Sequence, residues 1–352
     1  MNKIVIPAGY MGSGSSAVTD LLSEVEGYTS TNGNFEYVFM HCPNGMFDLE
    51  DKLLRGNNAI RSDEALHSFG RCMHDLFCKK HFWVGEYKRR IGPKFEEYYQ
   101  EFLHSITDAQ FSETYWYYQE WPFLKGYIHK AVTRGLRILT GNRKIFKPAL
   151  RYKPMQISYA DEETFYGSAR TFLDKIYAEL GIGESNLILD QFLLPHNLHR
   201  MAHYFTDNSK AVVVERDPRD VFLLNKYYWD KAGSAVPYPM DVRQFCVNYR
   251  KMRQCEIPCD NPNILRIHFE DLVYRYEETK KRIFAFLDIQ DAQHTQPKTK
   301  FIPEKSMRNT QLFNRDAAFA AEAEYIAKEL KDYIYEFPMT NTEKLEAKEV
   351  IL

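Results

Sequence analysis

With 352 residues, 44% of them hydrophobic and 27% charged, the chain has the composition of an ordinary globular protein. Its length suits one large α/β domain or about two smaller ones, and a formal net charge of −2 supplies no global field to draw it to nucleic acid or lipid. No run of about 20 apolar residues is present to span a bilayer, the first apolar run is too short for a signal peptide, and six cysteines without framework spacing are expected as reduced thiols in a cytoplasmic protein.

In chain order, Lys3–Pro7 reads as a short buried strand, followed by a Gly/Ser loop from Gly9 to Ser16 and a helix over Ala17–Ser23. From about residue 60 to 165 the pattern turns helical and aromatic, with Tyr98, Tyr99, Tyr115–Tyr118 and Trp121. No Asp or Glu falls between Glu120 and Asp161, while nine Lys or Arg do, and Ile128, Val132, Leu136 and Leu139 form one helical stripe. Three readings of this segment stand side by side. It is a helical insertion with a solvated basic face, or an acceptor-binding lid for an anionic or sugar-rich substrate. The third is peripheral contact with an anionic membrane surface through 124–153. Within it, Cys72, His74, Cys78 and His81 read either as a helix face or as zinc ligands, although the spacing matches no standard finger.

Beyond the insertion, a helix over Ala169–Leu180 is closed by Gly181. Asn186–Asp190, Ala211–Glu215 and Ile264–Ile267 are apolar, β-branched strands, with helices over Pro195–Tyr204 and Glu277–Leu287 around them. Strands alternating with helices predict an α/β fold, a parallel β-sheet flanked by helices. The glycine loop then lies at the carboxyl edge, where such sheets bind ligands.

Two stretches carry chemistry. The spacing Gly9-x4-Gly14-Ser15-Ser16 is that of a loop presenting backbone N–H groups to phosphate at a helix N-terminus, but Ser15 stands where a nucleotide-binding loop carries lysine. The second stretch is the strand running into Arg216-Asp-Pro-Arg-Asp220. A guanidinium there has the planar fork that binds phosphate oxygens bidentately, or it makes an ion pair with Asp220.

These blocks resemble the sulfotransferases that use 3′-phosphoadenosine 5′-phosphosulfate (PAPS), of the bacterial type with a P-loop-like fold. Gly12-Ser-Gly-Ser-Ser16 is similar to that family's 5′-phosphosulfate loop, and Arg216-Asp-Pro-Arg-Asp220 to its 3′-phosphate motif. Ile267-His-Phe-Glu-Asp-Leu-Val273 resembles its late strand-helix segment, and 187–200, with Asp190 and Pro195, the stretch preceding the 3′-phosphate strand. Lys305-Ser-Met-Arg-Asn-Thr310 sits where the family has a basic loop over the 3′-phosphate. The resemblance covers roughly residues 1–40 and 185–312.

It implies a single domain over 1–352 in which the 60–165 insertion forms the acceptor side or a lid. PAPS would be the donor and 3′,5′-ADP the product, with no metal required. Gly12, Ser13, Gly14, Ser15 and Ser16 would hold the phosphosulfate, and Arg216, with Lys305 and Arg308, the 3′-phosphate. Glu36 is the first candidate for general base, about 20 residues beyond the loop, and His196 the second. Two departures stand out: the family's basic residue before the Ser-Gly pair is Gly12 here, leaving Lys226, Arg219 or Lys305 to replace it. The serine expected eight residues after Arg216 is Leu224, leaving Asn225 for that contact.

The acceptor implied is a hydroxyl, first of a carbohydrate as in capsule or exopolysaccharide modification, with a sterol, lipid or phenol as the alternative. Two rival readings are a nucleoside-triphosphate-dependent kinase, with Asp190 as a magnesium ligand, and a non-catalytic nucleotide-binding protein.

Overall fold

The structure is a computed structural model, and it describes residues 2–30, 35–80, 84–111, 123–141, 155–229 and 237–341. His81, Tyr115–Tyr118, Trp121 and the 142–153 part of the basic segment lie outside the described residues.

Five strands form one parallel sheet: β1 (Ile4–Gly9), β2 (Tyr28–Ser30), β5 (Asn186–Ile188), β6 (Ser209–Glu215) and β7 (Ile264–His268). Their spatial order is β2-β5-β1-β6-β7, so the first strand lies at the centre. β3 (Ala109–Phe111) and β4 (Met155–Ile157) make a separate antiparallel pair. The α/β reading therefore stands, a parallel sheet flanked by helices. Tyr28–Ser30 was not expected as a strand, since a three-residue edge strand carries no periodicity to read.

Both faces of the sheet are covered, as near-continuous apolar strands require. On one face Val5, Val212, Val214 and Ile267 pack with Val18, Leu21 and Leu22 of the helix Ser16–Leu22. Ile283, Phe284 and Leu287 of the helix Tyr276–Leu287 join that core. A second core gathers Phe222, Leu224, Trp229, Phe245, Tyr249, Leu312 and Ile326. The expected helix at Pro195–Tyr204 is a 3₁₀ stretch over Pro195–Arg200 passing into one α-turn, Met201–Tyr204. The helix expected from Ala169 starts earlier, at Glu162.

The chain divides into two compact units. The first comprises 1–42, 75–95 and 173–352 and contains the parallel sheet. The second comprises 43–74 and 96–172, overlapping the helical segment read at 60–165. It is held by Phe69, Phe102, Phe165 and Phe172, whose rings meet edge-on or stacked at 5.5–6.1 Å. The Asp63 carboxylate also accepts from the Gln156 N–H at 2.7 Å.

Within the second unit, Cys72 and His74 face different partners, Cys72 Sγ the Pro43 carbonyl and His74 Nδ1 the Glu96 carboxylate. Among the described residues no group of three or more His, Cys, Asp or Glu is placed to hold a metal, and none of the six cysteines is in a disulfide.

Register is what positions the site. In the β1–β6 ladder Gly9 pairs with Val214, and in β6–β7 Glu215 pairs with His268. The three segments leaving these strands, Tyr10–Ser15, Arg216–Asp220 and Phe269–Asp271, therefore emerge side by side at the carboxyl edge. Glu24, just past the end of the helix Ser16–Leu22, ties down the segment 294–301. Its buried carboxylate accepts from the N–H groups of Lys298, Lys300 and Phe301 and from His294 Nε2, all at 2.8–3.0 Å.

Candidate functional site

The loop after β1 is shaped by two glycines in the left-handed region, Gly12 at φ +79° and Gly14 at φ +83°, a conformation that costs an L side chain about 1–2 kcal/mol. Space closes the choice further. A Cβ on Gly12 would lie 2.6 Å from the Trp229 ring, and one on Gly14 would lie 2.8 Å from the Phe269 ring. The missing basic residue at position 12 thus has a physical reason, because this loop cannot carry a side chain there. Trp229 ends a π-helical stretch, Leu224–Trp229, whose wider turn continues the helix Pro218–Leu223.

The loop makes one internal turn, the Ser13 N–H donating to the Tyr10 carbonyl at 2.9 Å. The N–H groups of Gly14, Ser15 and Ser16 donate to nothing among the described residues. The buried Ser13 hydroxyl has no partner among them either. Ser15 Oγ accepts from Gln191 Nε2 at 2.7 Å, while Ser16 is exposed. Unengaged amides and a buried orphan hydroxyl around a glycine cradle are the donor set that an anion of phosphate type requires.

Arg216 braces this loop against a second one. Only 4% exposed, its Nη1 donates to the Gly12 carbonyl at 3.0 Å and its Nη2 to the Asn309 carbonyl at 2.5 Å. The guanidinium lies 4.6 Å from the centre of the Phe269 ring, and its Nε is unpartnered. Burial lowers its pKa while Asp220, Glu270 and Asp217 pull it back up, and a guanidinium stays charged regardless.

The surrounding carboxyls tie the three segments together. Asp217 caps the helix Pro218–Leu223 and binds the Arg219 guanidinium through both oxygens, at 2.9 and 2.7 Å. Asp220 accepts from the Gln311 and Leu312 N–H groups, each at 2.8 Å. Glu270 accepts from the Asp217 N–H at 2.9 Å. Burial, with the Asp217 charge beside it, pushes Glu270 up to about 8, and burial raises Asp220 as well. The enclosed cluster therefore sheds negative charge near neutrality and leaves the arginines in excess.

The remaining candidate cations divide sharply. Lys226 is held by Glu322 at 2.5 Å and Arg219 by Asp217. The side chains of Lys305, exposed, and Arg308, half-buried, make no hydrogen bond or ion pair among the described residues. Lys305 precedes the turn Met307–Asn309 and Arg308 lies within it, and Arg216 holds the Asn309 carbonyl of that turn. Asn225 is fully buried and joined to Tyr238 by both ends of its amide, Nδ2 to the carbonyl at 3.0 Å and Oδ1 from the N–H at 3.2 Å.

On the β5 side the electrostatics invert. Asp190 follows β5, and its Oδ1 has no partner among the described residues. Burial, and then the charge of Glu36, push Asp190 up to about 7. Gln191, at φ +54°, bridges to Ser15, and its carbonyl meets His41 Nε2 at 2.8 Å. Burial drives the His41 pKa down, so that ring stays neutral.

His196 Nε2 turns to the Met252 carbonyl at 3.2 Å, and its ring packs edge-on against Tyr10 at 5.6 Å. The partners that sequence reading missed, Trp229 under Gly12 and Gln191 on Ser15, gave no local signal. The pairing of Glu36 with Asp190 spans more than 150 residues.

No family model and no curated protein sequence matches the chain significantly. Among solved structures it is similar to a sulfotransferase domain from the curacin biosynthetic pathway, at 13% identity over 96% of this chain and 99% of that one, with a TM-score of 0.37. It is also similar to the sulfotransferase STF9 of Mycobacterium avium, at 12% identity over 98% and 78% of the two chains, TM-score 0.36. A third is the sulfotransferase domain of the Synechococcus PCC 7002 olefin synthase, at 13% identity over 95% and 94%, TM-score 0.37. At these identities the likeness concerns the course of the chain, and what the site does follows from its own side chains.

Proposed function

We propose that the protein transfers a sulfuryl group from PAPS to an acceptor hydroxyl, leaving 3′,5′-ADP. One observation carries the reading: a phosphate-type loop without lysine is braced through Arg216 to a second loop that bears the unengaged cations Lys305 and Arg308. A nucleoside triphosphate would need a lysine in the loop and gives the second loop no task. A donor phosphorylated at both 3′ and 5′ positions uses both.

The N–H groups of Gly14, Ser15 and Ser16, with the hydroxyls of Ser13 and Ser16, would hold the 5′ end, and Lys305 and Arg308 the 3′-phosphate. Arg216 would keep the two loops at fixed separation, its Nε remaining for the ligand. Asn225 would support the site from behind, by fixing Tyr238. Bound there, the donor supplies a sulfuryl group activated by a phosphate leaving group. With Lys305 at the 3′-phosphate, and Lys226 and Arg219 held by Glu322 and Asp217, the loop N–H groups would meet the charge growing on that leaving oxygen.

Glu36 would take the proton of the acceptor hydroxyl. After burial, the charge of Glu36 is what pushes the neighbouring Asp190 up to about 7, because two nearby carboxylates resist ionising together. His196, engaged with Met252, would serve to position Tyr10 beside the loop. The acceptor proposed is a carbohydrate hydroxyl, on the aromatic and basic composition of the second unit, with a sterol, lipid or phenol as the other class. Among the described residues no helix is long and apolar enough to cross a membrane, and the proposed working place is the cytoplasm, with no nucleic acid partner.

The direct test is transfer of labelled sulfate from PAPS, in EDTA, to a panel of glycans, alcohols and phenols. Transfer is expected, with kcat lowered about 10²–10⁴-fold in Glu36→Gln. An unchanged kcat in that variant removes Glu36 from the role. Binding of 3′,5′-ADP with no transfer to any acceptor overturns the proposal in favour of a nucleotide-binding protein.

A further inference from the structure

The helix Phe123–Leu139 of the second unit turns its apolar residues outward. Leu124 is 68% exposed, Tyr127 65%, Ile128 52%, Val132 48%, Ile138 74% and Leu139 84%. At 100° per residue these six positions fall within an arc of roughly 140°, a continuous stripe along a helix about 25 Å long. Isolated exposed leucines need no explanation, but a full-length apolar stripe does. The same arc contains Ala131 and Gly135, so nothing polar interrupts it.

The charge beside the stripe is of one sign. Lys130, Arg134 and Arg137 are exposed and fall in the adjoining arc, and the helix carries no Asp or Glu. The sequence continues this bias, with nine Lys or Arg and no acid between Glu120 and Asp161. The chain as a whole carries −2, so this segment is a local concentration of positive charge against the overall balance. An outward apolar stripe edged by cations alone matches a surface that is apolar beneath an anionic layer. A second copy of the same helix would instead set those cations against one another.

We propose that the helix Phe123–Leu139 seats this protein on an anionic lipid surface. Leu124, Ile128, Ile138 and Leu139 enter the acyl boundary, and Lys130, Arg134 and Arg137 lie among the headgroups. The inference does not rest on the donor site or on the sulfuryl-transfer reading. It makes membrane association reversible, since a single interfacial helix anchors without spanning.

The test is co-sedimentation of the full chain with vesicles of phosphatidylcholine, with and without phosphatidylglycerol. Binding to the anionic vesicles alone is expected, weakening as salt is raised. The double variant Ile138→Asp, Leu139→Asp should lose binding by roughly tenfold or more. The charge variant Lys130→Glu, Arg134→Glu, Arg137→Glu should lose the preference for phosphatidylglycerol. Both sets change exposed positions, so their thermal unfolding midpoints should match the parent's. No sedimentation with anionic vesicles overturns the proposal. So does a stable dimer in light scattering that the Ile138→Asp, Leu139→Asp change converts to monomer, because a second copy would then be the occupant.

Discussion

The two flanks of the glycine loop are built on opposite electrostatic plans. On the β6–β7 side the buried arginine Arg216 is braced between two carbonyls, every nearby carboxylate holds a backbone N–H or an arginine, and two further cations remain unengaged. On the β5 side burial and then the charge of Glu36 push Asp190 up, and the charges that move it are acidic. One flank gathers cations and the other gathers carboxyls. A single sheet edge carries both flanks because β1 is central, with β6 on one side and β5 on the other. The difference teaches that burial sorts the cations: the buried Arg216 ties two loops together, while the side chains of Lys305 and Arg308 stay unengaged among the described residues.

The most damaging change on the cationic flank is Arg216→Ala. It strands the Gly12 and Asn309 carbonyls and leaves Asp217, Asp220 and Glu270 with less buried compensation, an expected loss of about 3–5 kcal/mol by urea denaturation. Arg216→Lys should recover little of this, since one ammonium cannot span both carbonyls. A loss under about 1 kcal/mol for the alanine variant would mean that the brace does not hold the loops.

Next in size is Gly12→Lys, which supplies the basic residue the resemblance calls for. The positive φ and the Trp229 ring should make it destabilising by about 2–4 kcal/mol and reduce 3′,5′-ADP binding. A stable and more active Gly12→Lys would show that the loop tolerates a cation after all. The Gly12→Lys, Trp229→Ala pair separates clash from backbone strain, because only the clash is relieved.

The buried carboxyls set a pH dependence. Glu270 holds its proton up to about 8, whereas in the unfolded chain it ionises near the ordinary carboxylate value. The folded state thus binds more protons between these limits, and stability falls as pH rises from about 5 through about 8. Glu270→Gln should flatten that slope, by up to a few kcal/mol between its ends. A slope of the opposite sign in the parent protein would mean that Glu270 is ionised when folded.

The smallest effect belongs to the accessible cations. Lys305→Ala and Arg308→Ala should each weaken 3′,5′-ADP by about 1–2 kcal/mol without shifting the unfolding midpoint, and should leave 5′-AMP binding unchanged. Equal losses for both nucleotides would detach these residues from the 3′-phosphate.

The sheet and its cationic flank were legible in the sequence because each part is local. An apolar run followed by Gly-Ser-Gly-Ser-Ser, by Arg-Asp-Pro-Arg-Asp or by Phe-Glu-Asp-Leu identifies its strand and its exit loop. Parallel packing then places those exits side by side. What stayed hidden depends on partners distant in sequence. Gly12 looked like a defect until Trp229 filled the space beside it. Asn225 looked like a ligand contact, yet its amide is joined to Tyr238, thirteen residues on. Lys226 and Arg219 were equal to Lys305 as candidate cations until Glu322 and Asp217 engaged them.

The central claim, that the cationic flank reads a 3′-phosphate without a metal, is tested most directly by calorimetric titration of the full chain in EDTA. The account predicts that 3′,5′-ADP binds at least about tenfold more tightly than 5′-AMP, a gap of about 1.4 kcal/mol that Arg308→Ala narrows. Tighter binding of ATP with Mg²⁺ than of 3′,5′-ADP, or equal affinity for 3′,5′-ADP and 5′-AMP, would contradict it.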